Sequence, residues 1–233
     1  MNAWLAISMC ALVTFIYVSS LYICNGDRDN PSVVKCRSFS VIAVSCFIYY
    51  TLEWLIPANH HINGISDYRN IAWAAFTTLT LFITNVYMTF LTPPDRILST
   101  CYTDRWRLFR NLIVAPISEE IVFRKCMSDI LISGGFGQVA TISISSIAFW
   151  FAHLHHFWLS FRQSKNKYKM MLLIGSQCAY TAVFSIIAFV IYLKCGSIIP
   201  AIVSHGICNF FGLPKFNHWF VISLVLFSAM ITR

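Results

Sequence analysis

Leu108-Phe-Arg-Asn-Leu-Ile-Val-Ala-Pro-Ile-Ser-Glu-Glu-Ile-Val-Phe-Arg124 is an apolar run with two adjacent carboxylates and an arginine set into it. Glu120 and Arg124 stand four residues apart, so on a helix they share a face and can form an ion pair. Glu119 is turned about 100° from that face, which leaves its carboxylate available for another task. In hydrocarbon, carboxylates are costly unless they are paired, protonated or open to a water-filled cavity. Pro116 frees a backbone carbonyl one turn earlier and predicts a kink beside Glu119.

Whether this run lies in a membrane is decided by what surrounds it. The 233 residues are 58% hydrophobic and 11% charged, with 20 phenylalanines, and the mean hydropathy is +0.67. A water-soluble domain of this size could not hide that much apolar surface. Eight apolar segments can be marked, at 3–24, 38–57, 71–91, 108–132, 139–160, 171–193, 198–212 and 218–231. Turn-forming stretches separate them, among them Asn25-Gly26-Asp27, Asn63-Gly64, Pro93-Pro94-Asp95 and Ser133-Gly134-Gly135. The expected fold is therefore all-α, a polytopic membrane protein with about eight transmembrane helices around an intramembrane active-site cavity. Residues 1–233 read as a single membrane domain with its motifs concentrated in 110–215. The first apolar run lacks a basic leader and a clear cleavage site, so it reads as a retained helix.

The formal charge is +8, but the basic residues are divided among the loops and never interleave with aromatics along a polar face, which argues against nucleic acid and for membrane lipid as the partner. Arg28, Lys35, Arg37, Arg96, Arg105, Arg107, Arg162, Lys165, Lys167 and Lys169 follow the odd-numbered segments, whereas Arg69, Lys125 and Lys194 belong to the even-numbered connections. By the positive-inside tendency the odd-numbered loops face the cytosol and both chain ends lie opposite. The nine cysteines show neither a CxxC pair nor zinc-site spacing, and most of them are expected to be free, small apolar residues.

Two further segments carry unusual polar groups. Phe149-Trp-Phe-Ala-His153-Leu-His155-His156 places His153 and His156 on one face, with Phe149 one turn before His153. His155 and His156 lie near the basic loop, where interfacial hydration accounts for them. His205-Gly-Ile-Cys-Asn209 puts an imidazole and a carboxamide on one face, and both can donate hydrogen bonds. Counting back from the cytosolic ends at about 1.5 Å per residue, Glu119, His153 and His205 fall within one helical turn of depth.

A glutamate and a histidine at one level can orient a water, the carboxylate taking its proton as the water attacks a carbonyl. His205 and Asn209 would then hold the oxygen on which negative charge develops. Covalent catalysis has less support, since no GxSxG elbow is present, Ser118 and Ser204 only adjoin motif residues, and no cysteine other than Cys208, about 300° of helix turn from His205, lies near a motif histidine. A zinc site of Glu119, His153 and His205 is a valid catalytic ligand set, although no HExxH is present and Asn209 would be left without a clear role. A proton-coupled transporter is a less favoured alternative, because the segments become mainly apolar beyond these residues.

Ala115-Pro116-Ile-Ser-Glu119-Glu120-Ile-Val-Phe-Arg124, Phe149-Trp-Phe-Ala-His153-Leu-His155-His156 and His205-Gly-Ile-Cys-Asn209, with Gly212 and Pro214 behind, resemble in order and spacing the CAAX prenyl endopeptidase family, the Ras-converting, glutamate-dependent intramembrane proteases of the endoplasmic reticulum. The resemblance implies endoproteolytic removal of the C-terminal tripeptide from prenylated CaaX proteins such as small GTPases, without a cofactor or metal. It implies that Glu119 and His153 position the attacking water and that His205 and Asn209 form the oxyanion site. Glu120 and Arg124 are implied as supporting residues, and Phe149 and His156 are expected to flank the site. The implied location is the endoplasmic reticulum membrane, multi-pass, with the active site open toward the cytosol.

Overall fold

The computed structural model describes residues 1–27, 29–56, 67–91, 105–212 and 218–231; at 155–163 and 218–221 only the backbone is described. These residues are all-α, with no strand among them. The helices are α1 (Ala3–Ser20), α2 (Pro31–Leu55), α3 (Tyr68–Leu81), α4 (Ile83–Phe90), α5 (105–133), α6 (Gln138–Gln163), α7 (Lys167–Cys195), α8 (Ile198–Phe211) and α9 (His218–Ile231). Local chemistry sets several starts. The side chains of Asn2, Asn30, Asp67, Asn166 and Ser197 each accept a hydrogen bond from a first-turn N–H, which satisfies a donor that has no partner within the helix. Gly196, at φ +62°, ends α7 in the left-handed region, where a glycine carries no Cβ penalty.

The expectation of about eight transmembrane helices is corrected. Among the described residues only α1, α2 and α7 are long and apolar enough to cross a membrane, or four spans if α3 and α4, bent by 83° at their junction, are taken as one broken span. The apolar parts of the others are shorter, as in α8 and in Ile222–Ile231 of α9. A helix of 14 residues such as α8 covers roughly 21 Å of a hydrocarbon core about 30 Å thick. In α5 the charged side chains of the motif lower the hydropathy, and the helix is not uniform. An apolar window in sequence thus marks a buried helix as readily as a spanning one.

α5 forms the centre of the molecule and packs against α1, α2, α6 and α8. Its side chains Val122, Phe123, Met127, Ile130 and Leu131 are fully buried, and α1 contributes Ala6, Cys10, Val13 and Tyr17 to the same core. In lipid, helices associate through van der Waals fit rather than through the hydrophobic effect, and small residues permit the closest approach. Gly134, just past α5, is such a place, since a Cβ there would lie 2.5 Å from the Cβ of Ala6. A second tie runs to α2, where Lys125 Nζ meets Asp129 at 2.7 Å and Glu53 at 3.3 Å.

The connection between α1 and α2 is closed by a Cys24–Cys36 disulfide. Both residues therefore depart from the expectation that the cysteines are mostly free, because a tight turn between two helices brings their Cα atoms to 6.2 Å without any CxxC spacing. Cys10, Cys46, Cys126, Cys178, Cys195 and Cys208 are free, and Cys101 lies outside the described residues. The same connection is joined to the start of α5 by Asp29, which pairs with Arg107 at 3.3 Å and Arg110 at 3.6 Å.

Candidate active site

Two wide, π-helical stretches, Arg110–Val114 and Ile121–Cys126, flank the turn Ala115–Glu120 that carries both glutamates. Proline accounts for part of the first. The Ala115 N–H bonds to the Arg110 carbonyl, and Pro116 has no N–H to offer, which leaves the Asn111 carbonyl open. Asn209 fills that vacancy from α8, its Nδ2 donating to Asn111 O at 2.9 Å. In the second stretch the Phe123 carbonyl accepts from the Ser145 hydroxyl of α6. Each irregular turn of α5 is thus fastened to a neighbouring helix by a polar bond, which fixes how the motif faces α6 and α8.

Glu120 is the hub of a buried network. Its Oε2 lies 3.1 Å from Arg124 Nε, and both side chains are completely buried. The pair is an ionic contact rather than an aligned hydrogen bond, since neither atom has a hydrogen-bond partner. The other oxygen, Oε1, lies 2.7 Å from His205 Nδ1. The Arg124 guanidinium sits 4.3 Å over the Phe149 ring and donates to Ser185 Oγ of α7 at 3.4 Å. The Phe184 and His205 rings are 4.7 Å apart. A buried guanidinium needs such an enclosure, because an unpaired charge in a dry interior is strongly destabilising.

Glu119 faces the other way, toward two imidazoles. His153 Nε2 and His205 Nε2 each lie 3.7 Å from Glu119 Oε2, an oxygen that is itself buried and has no hydrogen-bond partner. Hydrogen bonds made behind the rings fix their tautomers. His153 Nδ1 stands 2.8 Å from the Phe149 carbonyl, which only accepts, so this nitrogen carries a proton. His205 Nδ1 donates to the Glu120 carboxylate. His153 therefore turns its other nitrogen, Nε2, toward Glu119, and three polar atoms converge on a space whose separations are too long for direct hydrogen bonds and suit a molecule that both donates and accepts. Glu119 is 15% exposed and His153 25%, so the cluster is partly open, whereas His205 is 5% exposed and walled in.

Glu119, Glu120, Arg124, Phe149, His153 and His205 are therefore brought together. Asn209 shares the His205 helix, is exposed, and is engaged with Asn111 through one of its two amide hydrogens. His155 and His156 lie on α6, but their side chains fall outside the described residues, and Pro214 is likewise outside them. Three participants were not singled out from sequence: Phe184 and Ser185 on α7, and Tyr17, whose hydroxyl is 3.0 Å from that of Ser118, the residue before Glu119. Among the described residues no three His, Cys, Asp or Glu side chains are arranged to hold a metal ion, so the zinc alternative is not favoured.

A helical membrane protein with a partly buried carboxylate facing two imidazoles, backed by an ion pair, has the equipment of a peptide hydrolase. The profile of the family described as type II CAAX prenyl endopeptidase, Rce1-like, matches residues 102–211, the stretch that holds Glu119, Glu120, Arg124, Phe149, His153 and His205. The chain is 29% identical over 239 residues to CAAX prenyl protease 2 of Homo sapiens, covering 91% of this chain and 71% of that protein. It is 29% identical over 227 residues to CAAX prenyl protease 2 of Caenorhabditis elegans, covering 89% and 83% respectively. Against CAAX prenyl protease 2 of Arabidopsis thaliana identity is 35% over 108 residues, 46% of this chain and 35% of that one. No solved structure matches. Residues 102–211 are thus similar to the Rce1-like CAAX prenyl endopeptidases, and the similarity to CAAX prenyl protease 2 across species supports a protease identity.

Proposed function

We propose that this protein removes the C-terminal tripeptide from prenylated CaaX proteins such as small GTPases, using a water activated by Glu119 and His153. The observation that carries this is the unpartnered Oε2 of Glu119, with an imidazole nitrogen on either side at 3.7 Å. A water between Glu119 and His153 donates one hydrogen to the carboxylate and the other to the His153 Nε2 lone pair, which aims its oxygen lone pair at the scissile carbonyl. As the carbon–oxygen bond forms, the proton moves to Glu119. It passes to the departing amine when the carbon–nitrogen bond breaks, so the carboxylate is regenerated.

Charge develops meanwhile on the carbonyl oxygen. His205, held between Glu119 on one side and Glu120 on the other, donates to it from Nε2. Asn209 donates with its second amide hydrogen. Glu120 and Arg124 act through His205 and are positioning residues. Hydrolysis occurs in the endoplasmic reticulum membrane, in a multi-pass protein whose site opens toward the cytosol, where the peptide part of a lipidated tail lies while its apolar part stays in the bilayer.

The test is incubation of purified protein with a farnesylated CaaX peptide, with products identified by mass spectrometry. Wild type is expected to release the intact tripeptide and Glu119→Ala to release none. Cleavage at another bond, or equal release by Glu119→Ala, would sink the proposal.

A further inference from the structure

Between α5 and α8 runs an apolar groove of about 320 Å³, with Leu112 and Ile113 on one wall and Ile202, Val203, Gly206 and Phe210 on the other. We propose that this groove receives the isoprenoid chain of the substrate and that Ile202 and Phe210 set the chain length accepted, an inference that rests on the function proposed above.

The position of the groove follows from helix geometry. Taking His205 as zero and about 100° per residue, Asn209 stands at about 40°, Ile202 at about 60°, Gly206 at about 100° and Phe210 at about 140°. The α8 surface therefore passes from imidazole through carboxamide to apolar groove without a break. On α5 the order is matched, since Asn111, which accepts from Asn209, directly precedes Leu112 and Ile113. The Asn111–Asn209 hydrogen bond is the rim where the polar site ends and the groove begins.

Concavity here has a cause. A lipid-facing helix pair is ordinarily convex, but Gly206 has no side chain and sits so near α5 that a Cβ would meet the Leu112 carbonyl at 3.2 Å. The missing side chain leaves the floor open between Ile202 and Phe210. A volume near the lower end of the about 300–1,000 Å³ usual for small-molecule pockets suits one flexible chain better than a folded peptide.

The chemistry of the cut requires a pocket at this place. Removal of the last three residues breaks the bond directly after the lipidated cysteine, so the reacting carbonyl and the thioether belong to the same residue. With the carbonyl at Glu119 and Asn209, the chain must enter an apolar surface within one side chain's length. The groove beginning at Asn209 meets that requirement.

The test measures KM and kcat for farnesylated and geranylgeranylated forms of one CaaX peptide in wild type, Ile202→Trp and Phe210→Ala. Ile202→Trp shortens the groove and should raise KM for the geranylgeranyl peptide by about 10–200-fold more than for the farnesyl peptide, the scale of steric discrimination in an apolar pocket. Phe210→Ala should shift the ratio the other way. A farnesyl analogue bearing a diazirine should label 105–114 and 198–211 in wild type, competed by farnesylated peptide and not by excess phospholipid; this readout stands even where a variant fails to fold. Unchanged ratios in folded variants, labelling elsewhere, or competition by phospholipid overturns the groove assignment alone. Wild type that cleaves neither peptide overturns the functional proposal itself.

Discussion

Replacing Glu120 with leucine should unfold the protein more readily than any change at Glu119. Glu120 and Arg124 are completely buried with 3.1 Å between Oε2 and Nε, and Glu120 Oε1 also holds His205 Nδ1 at 2.7 Å. Glu120→Leu would leave the guanidinium with the Ser185 hydroxyl, the faces of Phe149 and Phe184 and the field of the Glu119 carboxylate, with no direct ion-pair partner. Breaking one side of a buried pair costs about 3–5 kcal/mol. For a chain of 233 residues that is a fall in melting temperature of about 6–20 °C. The double variant Glu120→Leu/Arg124→Met replaces both charges with apolar groups of similar size and should recover much of that loss. Thermal unfolding in detergent, followed by tryptophan fluorescence, reads both. Neither variant should regain activity, since His205 loses its Nδ1 partner, and a misplacement of about 1 Å costs on the order of 10²-fold in rate. A single variant melting within about 2 °C of wild type, against the cost expected for a broken buried pair, or a double variant less stable than the single, would refute the role of Glu120 as the buried hub.

Asn209→Ala should lower turnover by about 10²–10³-fold with little change in substrate binding, the scale for loss of one oxyanion donor; an equal loss expressed wholly in KM would contradict that role. For orientation, single cysteines at Asn30→Cys and Lys165→Cys in a cysteine-depleted background should react with a maleimide supplied from the cytosol, and Gln138→Cys from the lumen. The reverse pattern would place the Cys24–Cys36 bridge in the oxidising compartment, where disulfides persist, and would overturn the cytosolic opening. Elemental analysis of active, purified protein should find no stoichiometric zinc. One zinc per active chain, with activity lost on its removal and regained on its return, would defeat the metal-free mechanism while leaving the protease assignment intact.

The ionisable part of the site could be read from sequence because apolar segments do not carry idle charges. Glu120 and Arg124 had to pair, and Glu119, pointing elsewhere, had to meet something polar. His153 and His205 were the candidates at its depth, and both lie beside it. Phe184 and Ser185 escaped notice because a phenylalanine and a serine in a long apolar helix look like ordinary packing; only the Arg124 guanidinium in contact with both gives them meaning. Pro116 signalled an irregularity in α5 but not its form, since wide helical turns depend on which neighbour takes up the exposed carbonyls. Counting apolar windows overstated the number of spans, because short windows such as 198–212, where the helix has 14 residues, were counted as crossings alongside the long ones. Cys24 and Cys36 are twelve residues apart in sequence; Asn25-Gly26-Asp27 marks a turn between them, but without a CxxC spacing nothing in the sequence says that it brings the two thiols together.

The most direct test of the mechanism is the turnover of Glu119→Gln against wild type on a farnesylated CaaX peptide, both proteins purified in detergent and matched in melting temperature. Glutamine keeps the shape of the side chain and cannot take a proton from water. Turnover is expected to fall by at least about 10²–10⁴-fold, the contribution of a positioned general base, with the affinity for the peptide within a few-fold of wild type. Near-wild-type turnover by the folded variant would contradict the assignment of Glu119 as the base.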